Sequence, residues 1–484
     1  MAETSLNKKQ LGLWTLVALS MGSIYPLAFA VSNGAGAVVY AGFAAPVVPL
    51  FAALAILLVS VPALLFSKHV SFAGGYYGFA EKGFGLATGR YVALVNLLYY
   101  ILMDVVSVVA VSYILSTALS ALYGYTLPLY LYIIIALAAT VLMFVFTVFN
   151  IKVSGKSVLI VVALQILIVL IFSFITIART PYNSIQAFNV SKAPAGITGV
   201  MFAAVTAGFL FFTGYGAPFY FAEETKTSEK TVWKSVILSV IILTAVSVIA
   251  TYAEVAAVGI SNSSSLANDW NPAVVAFGTY VGSVGTLIFL AIALTGQVWA
   301  GIIGGMSGAR LIYAMGRDKF LFPSSFAKTH TKYKTPVVAA LFELIVTSII
   351  AVIAPIALVT VYGYSLGIFY SLFLFGALTT FMWILQHLIV DAASVPFFKK
   401  LYKKLTPKVL MGTLVPTLAA GALFIYADIT AYVGIGEPYL GGLVVIILFL
   451  VVFLIYIAYL RANKKLGSSM LNSIEAGGII EGQQ

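Results

Sequence analysis

The stretch from Phe209 to Lys226, FLFFTGYGAPFYFAEETK, decides how this chain folds. Its apolar run is interrupted at Thr213-Gly214-Tyr215-Gly216, turns at Pro218 and ends in the acidic pair Glu223 and Glu224. Two glycines and a proline inside a hydrophobic run predict a membrane helix that gives up some of its own hydrogen bonds. Within a bilayer, such a break is tolerated only where the freed N–H and C=O groups face protein or a water-filled cavity.

A second break of the same kind lies near the N-terminus, at Gly22-Ser23-Ile24-Tyr25-Pro26. In both breaks a glycine precedes a proline by four residues, Gly22 before Pro26 and Gly214 before Pro218. A single break is most simply a proline kink between packed helices. Paired breaks in corresponding halves of a membrane protein instead indicate the binding site of a secondary transporter.

Composition places the chain in a membrane. Of its 484 residues, 62% are hydrophobic and 8% are charged, and the mean hydropathy is +1.08; soluble domains carry about 25% charged residues. The absence of cysteine excludes disulfides and thiolate metal sites. His69, His330 and His387 are not at metal-binding spacing, and no nucleotide-binding fingerprint is present. The chain is therefore predicted not to be an enzyme and to need no metal or cofactor.

Apolar runs long enough to cross a bilayer, about 20 residues each, occur twelve times. The predicted spans are 11–41 (broken), 44–66, 89–122, 128–149, 154–178, 198–222 (broken), 232–258, 282–306, 336–356, 359–389, 409–427 and 439–460. If the N-terminus is cytoplasmic, all of the 26 Lys and Arg residues except Arg179 and Lys192 fall in inner segments. The positive-inside rule then places both termini in the cytoplasm. The net positive charge is thus a topology signal, and no nucleic-acid partner is predicted.

The two breaks divide the chain into repeats of five spans, 11–178 and 198–389, with the last two spans, 409–460, appended. Because five is an odd number, the second repeat would be inverted relative to the first, as in many secondary transporters. Residues 1–10 are predicted to form a cytoplasmic N-terminus and 461–484 a disordered cytoplasmic tail. The outer segment 259–281 is expected to be either a short helix or an unstructured connector. Glycosylation sequons at Asn189 and Asn262 fall in predicted outer loops.

Four segments resemble the amino acid–polyamine–organocation superfamily of permeases, which have the LeuT-type fold. They are Ser307–Pro336 (SGARLIYAMGRDKFLFPSSFAKTHTKYKTP), 211–230 (FFTGYGAPFYFAEETKTSEK), Phe72–Gly89 (FAGGYYGFAEKGFGLATG) and Asn150–Lys156 (NIKVSGK). All four occur in the order of the family and on the predicted side of the membrane. The resemblance implies an all-α protein that moves amino acids across the plasma membrane by alternating access.

The departures from the family pattern concern substrate and coupling. Pro26-Leu27-Ala28 stand where relatives usually have a glycine cluster, and Gly216 stands where many have a glutamate. Some relatives carry a lysine in span five that is associated with proton coupling or with replacing sodium; here that position is Gln165. The resemblance therefore leaves open whether a proton gradient, a sodium gradient or exchange drives transport.

The chemistry of a broken helix suits an amino acid, because free N–H groups attract a carboxylate and free carbonyls attract an ammonium group. By resemblance, the carboxylate would bind the amides of Leu27 and Ala28, and the ammonium the carbonyls of Ile24, Leu210 and Thr213. The predicted substrate-binding residues are Ser23, Ile24, Tyr25, Leu27, Ala28, Asp104, Phe209, Leu210, Phe212, Thr213, Gly214 and Tyr215. The predicted gate or coupling residues are Gly22, Pro26, Gly216, Pro218, Gln165, Glu223 and Arg310.

Ionisable residues inside predicted spans are functional candidates. Asp104, in the middle of span three, is predicted to pair with a cationic side chain or the substrate ammonium, to carry a proton, or to be packed as a neutral group. Glu254 and Glu343 are predicted to have structural roles. His387 is expected at the membrane interface, and Lys156 is expected to extend its ammonium group towards water.

A charged cluster is predicted at the inner end of the site. Arg310, Arg317 and Asp318 either form an ion-pair network with Glu223 and Glu224 that opens and closes an inner gate, or are independent solvated helix ends.

The sequence therefore predicts an amino acid permease with twelve spans. Its predicted partners are a small-molecule substrate and the lipid bilayer, and its oligomeric state is not indicated. A polyamine or organic-cation transporter of the same fold, suggested by Asp104, and a sensor that binds an amino acid without transporting it remain alternatives.

Overall fold

The structure is a computed structural model that describes residues 6–149, 151–268, 271–432, 436–469 and 471. This part of the chain is almost wholly helical. The α-helices are α1 Leu13–Ile24, α2 Gly34–Ala41, α3 Val48–Phe66, α4 Tyr76–Phe84, α5 Leu86–Tyr123, α6 Leu129–Val148, α7 Ile151–Arg179, α8 Gly196–Ala203, α9 Phe209–Phe212, α10 Ser228–Val258, α11 Pro272–Tyr280, α12 Ser283–Arg317, α13 Val337–Tyr362, α14 Tyr364–Tyr402, α15 Pro407–Tyr432 and α16 Tyr439–Ala462.

Eleven stretches of helix in the described residues are long and apolar enough to cross a membrane. The predicted span 409–427 falls on α15, whose apolar stretch in those residues is the shorter Pro407–Leu423. The count of twelve spans therefore stays a prediction. The predicted tail beyond residue 471 lies outside the described residues, as does Asn150.

Two helices continue well past their predicted ends. The eighth predicted span stops at residue 306, whereas α12 runs to Arg317; the tenth stops at residue 389, whereas α14 runs to Tyr402. The prediction followed the length of apolar sequence, but a helix need not end where the lipid ends. Residues 300–316 of α12 are all buried, so protein packing supports the extension.

The backbone leaves regular α-helix at both glycine–proline segments. Helix α1 ends at Ile24, Tyr25 has a φ of 69°, and a π-helical turn at Phe29–Asn33 precedes α2. In the second segment a π-helical turn at Ala204–Gly208 leads into the four-residue α9. Turns at 213–216 and a 3₁₀ helix at Ala217–Glu224 follow.

These two irregular segments lie against one another. The Ser20 hydroxyl donates to the Tyr215 carbonyl at 2.9 Å. Before α1, the amides of Gln10 and Leu11 donate to the Glu224 carbonyl at 2.8 and 3.0 Å, and the Lys226 amide donates to the Leu11 carbonyl at 3.0 Å. The segment before α1 and the segment after the 3₁₀ helix are therefore joined by backbone hydrogen bonds.

Helix α5 stands beside this contact. It is 38 residues long and packs most extensively against α12 and α14. Its Tyr99 hydroxyl donates to the Thr213 carbonyl at 2.8 Å. Directly after α1, the Tyr25 hydroxyl donates to the Ala293 carbonyl of α12 at 3.0 Å. The long helices thus supply partners to the irregular backbone.

The outer segment 259–281 is helical where the structure describes it. A 3₁₀ helix covers Ile260–Asn268 and α11 follows, while residues 269–270 lie outside the described part. The short helix, one of the two structures expected there, is therefore the one observed. Asn189 and Asn262 of the sequons are both exposed.

Candidate functional site

A cavity of about 120 Å³ lies beside the two irregular segments. It has room for roughly 8 to 12 water-sized spheres, taking about 10–15 Å³ for each, which suits one amino acid of medium size. Its lining is formed by Ser23, Ile24, Tyr25, Ala28, Val31, Asn33, Met103, Val106, Ser107, Ala110, Tyr113, Ile114, Thr117, Leu210, Phe211, Thr213, Asn271, Gln297, Ala300, Leu372, Phe373, Gly376 and Thr379. None of these described residues is Asp, Glu, Lys, Arg or His.

Six predicted substrate-binding residues line this cavity: Ser23, Ile24, Tyr25, Ala28, Leu210 and Thr213. They come from both irregular segments, one in each of the two predicted repeats. The structure thus brings the two breaks to one cavity.

The other predicted residues of the second segment are packed behind the cavity. Phe209 lies against Trp383 with ring centroids 6.3 Å apart, and Phe212 lies against Phe211 at 4.6 Å. The Tyr215 hydroxyl is 2.9 Å from Nε2 of His387. Each residue of a helix turns by about 100°, so Leu210 and Phe211 reach the cavity whereas Phe209 and Phe212 do not line it. In this conformation Phe209, Phe212 and Tyr215 therefore do not line the cavity, and their predicted role in substrate binding stays a prediction.

Gly214 has a packing role. A Cβ atom at this position would overlap the backbone carbonyl of Ser23 and lie 2.8 Å from the Ser23 hydroxyl. The two irregular segments can approach this closely only because residue 214 has no side chain. Gly214 therefore shapes the site without lining it.

The predicted backbone ligands are partly engaged. The Ala28 amide donates to the Tyr25 carbonyl at 2.9 Å, so it is not free for a carboxylate in this conformation. Leu27 is fully buried and does not line the cavity. The Leu210 carbonyl accepts from the Thr213 hydroxyl at 2.9 Å, and the Thr213 carbonyl accepts from Tyr99. The Leu210 carbonyl also accepts from the Thr213 amide at 3.4 Å, so of these two carbonyls it is that of Thr213 which keeps a second lone pair for a further donor.

Asp104 lies outside this cavity. Helix α5 presents Met103 and Ser107 to it, whereas Asp104 lines a second, smaller cavity together with Glu343. Asp104 therefore lies on the other side of α5 from the main cavity, and its predicted contact with the substrate ammonium stays a prediction. Glu343 and Glu254 are both buried.

His387 is buried rather than interfacial. The prediction failed because α14 continues for several turns beyond His387, so this position is inside the helix bundle. Its Nδ1 lies 3.9 Å from the carboxylate of Asp391. Lys156 has an exposed side chain.

The remaining coupling candidates are packing positions. A Cβ atom on Gly296 of α12 would lie 2.6 Å from the Gln165 side chain, which places Gln165 directly against α12. A Cβ atom on Gly22 would come within 2.6 Å of Ile303, and Gly216 faces the Tyr76 ring. Pro26 lies in the turn after α1, and Pro218 lies at the start of the 3₁₀ helix.

The inner charged residues form separate pairs. Arg310 donates to Glu224 at 2.5 Å, and neither side chain is exposed. Arg317 makes a two-pronged contact with Glu223 at 2.8 and 3.1 Å. The predicted interaction of the arginines with the acidic pair is thus present, and the alternative of independent solvated ends is wrong.

Asp318 pairs outside the predicted network. It accepts from Arg90 of α5 at 2.9 Å, a contact that no local pattern indicates because 228 residues separate the partners. Arg90 also lies 3.6 Å from Glu81 on the short helix α4. Burial raises the pKa of Glu81 despite that neighbouring charge.

Several lining residues escaped the sequence prediction. Gln297 lies in the middle of the apolar α12 and donates to the Ser107 carbonyl at 3.4 Å. Asn271 lines the cavity, and its side-chain oxygen has no hydrogen-bond partner among the described residues. An uncharged polar residue within an apolar run was the available signal for Gln297. Asn271 follows an outer loop and carried no such signal.

Comparisons with known proteins agree with this arrangement. The sequence profile described as "Amino acid permease" matches residues 11–383. The branched-chain amino acid permease BcaP of Bacillus subtilis (strain 168) is 28% identical over 383 residues, which cover 72% of this chain and 76% of BcaP.

Two solved structures share the overall fold. MhsT in complex with L-phenylalanine superposes with a TM-score of 0.60 at 15% identity, over 88% of this chain and 100% of the MhsT chain. The Eremococcus coleocola manganese transporter, in complex with an aromatic bis-isothiourea compound, has a TM-score of 0.54 at 11% identity, over 95% and 98% of the two chains. At these identities the likeness concerns the fold alone.

Replacing Gly214 by alanine is expected to push the two irregular segments apart. Overpacking of this kind costs typically about 1–3 kcal/mol, so the thermal unfolding temperature of the purified protein should fall. Gly376→Ala is the matched control, because its Cβ would meet Leu210 at an ordinary 3.7 Å. Equal melting temperatures for the two variants would contradict the close contact.

The two inner ion pairs are expected to differ in their contributions to stability. Glu224→Gln leaves Arg310 as a buried charge without its counter-ion, a change that costs about 3–5 kcal/mol. Glu223→Gln should cost less because Arg317 retains 12% exposure. The control is Glu229→Gln, which alters a half-buried carboxylate on α10. The thermal unfolding temperature should be highest for the wild type and this control, lower for Glu223→Gln and lowest for Glu224→Gln. The reverse order of the two pair variants would count against a fully desolvated Arg310–Glu224 pair.

Proposed function

We propose that this chain, which belongs to the amino acid permease family, is a secondary active transporter for neutral amino acids with apolar side chains. Family membership and the BcaP relative make it a multi-pass membrane transporter rather than an enzyme. They also confirm the resemblance read from the four sequence segments. The cell membrane is its proposed location.

One observation carries the choice of substrate: the described residues that line the main cavity include no Asp, Glu, Lys, Arg or His. Its walls include Val106, Ile114 and Leu372, so a hydrocarbon side chain can be desolvated there without leaving a buried charge. BcaP is named for branched-chain amino acids, which is the chemistry that such walls favour.

The polyamine alternative loses its main support. A bound polycation needs carboxylates within reach because an unpaired buried ammonium group is strongly disfavoured. Asp104, the residue that suggested this alternative, faces the second cavity with Glu343. A single ammonium group of an amino acid can instead be held by carbonyl oxygens.

We infer that the ammonium group binds the second lone pair of the Thr213 carbonyl and the carbonyl of Ile24, and that the Leu210 carbonyl joins them only if it releases a hydrogen bond from Thr213. The side-chain oxygen of Asn271 is a further acceptor at the cavity wall. For the carboxylate to bind the Ala28 amide, that amide must first release the Tyr25 carbonyl. Ligand binding is therefore expected to rearrange the turn from Tyr25 to Ala28.

Alternating access follows if the two irregular segments are the discontinuous helices one and six of a twelve-span protein. In this proposal the repeats are 11–178 and 198–389, and both termini are cytoplasmic. The Arg310–Glu224 and Arg317–Glu223 pairs then lie on the cytoplasmic side and hold the inner end of the site closed. Opening inwards requires these pairs to separate.

Ligand class is tested with the purified protein. Valine, leucine, isoleucine and phenylalanine are expected to raise its unfolding temperature, because a ligand at 100 times its Kd adds about 2.7 kcal/mol of stability. Lysine, glutamate and putrescine should leave it unchanged. Stabilisation by putrescine or lysine alone would sink the neutral-substrate proposal. Counterflow of the stabilising amino acid in proteoliposomes separates a transporter from a sensor, which would bind without exchange.

Cavity size is expected to set the preferred side chain. Gly376 lines the cavity opposite Leu210, so Gly376→Val should favour smaller amino acids over larger ones. One methylene group more or less is worth about 10–200-fold in discrimination. Competition between alanine or valine and leucine in the counterflow assay measures the change. The matched control is Gly421→Val on α15, away from the cavity; an equal shift in the control would show that the effect is not local.

A further inference from the structure

A second cavity of about 20 Å³ lies on the far side of α5 from the main one. It holds roughly one water-sized sphere, which is too little for an amino acid. Its lining residues are Asp104, Thr140, Met143, Phe144, Thr147, Gly305, Ala340, Glu343, Leu344 and Thr347. They come from α5, α6, α12 and α13.

Two carboxyl groups face each other there. Asp104 is 2% exposed and Glu343 is 3% exposed, and both line the same small cavity. Oδ1 of Asp104 and both carboxyl oxygens of Glu343 have no hydrogen-bond partner among the described residues. Two carboxyl groups buried beside one small cavity repel each other when both are ionised, because little solvent screens their charges. At least one of the two is therefore expected to hold a proton.

The glycines of α12 make room for this pair. A Cβ atom on Gly308 would overlap the Glu343 carboxyl group, and one on Gly304 would overlap that of Asp104. A Cβ atom on Gly305 would lie 3.7 Å from Asp104 and 4.0 Å from Glu343. Both acids therefore press against one glycine face, which makes them a single site.

A polar group independent of the acids also points to a ligand. Thr347 lies one turn after Glu343 on α13, is 1% exposed and lines the cavity. Its hydroxyl oxygen has no hydrogen-bond partner among the described residues. Buried hydroxyl groups are normally satisfied, so this one is available to a small polar species beside the carboxyl groups.

The neighbouring groups do not neutralise the pair. On α6, the Thr140 hydroxyl bonds to Ala136 at 2.9 Å and that of Thr147 to Ile302 at 3.4 Å. On α12, Arg310 is engaged by Glu224. On α5, the Tyr99 hydroxyl donates to the Thr213 carbonyl and so is engaged away from the two acids. Among the described lining residues, therefore, no cation faces the two acids.

We propose that Asp104 and Glu343 together form the proton-binding site of this transporter, an inference that rests on the proposed function. The pair alternates between a singly protonated form with one negative charge and a doubly protonated neutral form. Only one O–H bond forms and breaks, and the proton comes from water on one side of the membrane and leaves on the other. Glu343 lies within two turns of the start of α13 at Val337, which is the cytoplasmic end in the proposed topology.

Proteoliposomes test this site through the difference between exchange and accumulation. One pH unit is equivalent to a factor of about ten, so an outside-acidic gradient of one unit should drive roughly tenfold accumulation by the wild type. Asp104→Asn and Glu343→Gln should keep counterflow exchange but lose this accumulation. Glu254→Gln, which alters another fully buried carboxyl group on α10, is the matched control and should accumulate like the wild type.

Infrared difference spectroscopy of the wild type tests the site even if neither variant folds. Substrate addition at constant pH should change the C=O band of a protonated carboxyl group, and either variant that folds should lack that change.

A wild type that exchanges amino acid but ignores the pH gradient, or variants that still accumulate, would overturn the proton site and leave the proposed function standing. Accumulation driven by sodium and abolished by Glu343→Gln would overturn it in favour of a sodium site. A wild type that neither binds nor exchanges any amino acid would remove the proposed function itself.

Discussion

The architecture depends on one constraint, which is that backbone polar groups inside a membrane must find partners within the protein. Neither irregular segment pairs all of its backbone polar groups within its own helix, and other elements supply some of the missing hydrogen-bond partners. Tyr99 of α5 donates to Thr213, Ser20 of α1 donates to Tyr215, and Tyr25 reaches Ala293 of α12. Each segment is therefore stable only next to the other and to the long helices, and the cavity forms where the remaining backbone carbonyls meet.

Charge is separated from the substrate cavity by the helices themselves. The wall of α5 that faces the main cavity carries Met103, Val106 and Ser107, whereas Asp104 faces Glu343 on the other side. The arginines of α12 are paired at the inner end with Glu223 and Glu224. In the proposed transporter, a neutral ligand would bind at the irregular backbone and the ionisable groups would act from outside the main cavity.

Helix α12 connects these functions. Its middle supplies Gln297 and Ala300 to the main cavity, its glycines accommodate Asp104 and Glu343, and its C-terminal turns hold the arginine pairs. Small residues let neighbouring helices approach closely, as is common in membrane bundles. A shift of α12 would therefore be felt at the substrate cavity, the acid pair and the inner gate together, which is the physical basis for coupling in the proposed transporter.

The sequence by itself determined the membrane setting, the family, the location of the two irregular segments and the acidic pair that meets the arginines. These features depend on composition and on residues close together in the chain, such as Gly214 with Pro218. Only the tertiary structure decided which face of each helix meets the cavity. It places Phe211 rather than Phe209 or Phe212 at the cavity, and it places Asp104 beside Glu343. It also buries His387 inside the bundle and pairs Asp318 with Arg90. Because successive residues of a helix point about 100° apart, adjacent side chains have different surroundings. Which of them meets the cavity depends on how the whole helix is rotated, and packing between segments far apart in the chain sets that rotation.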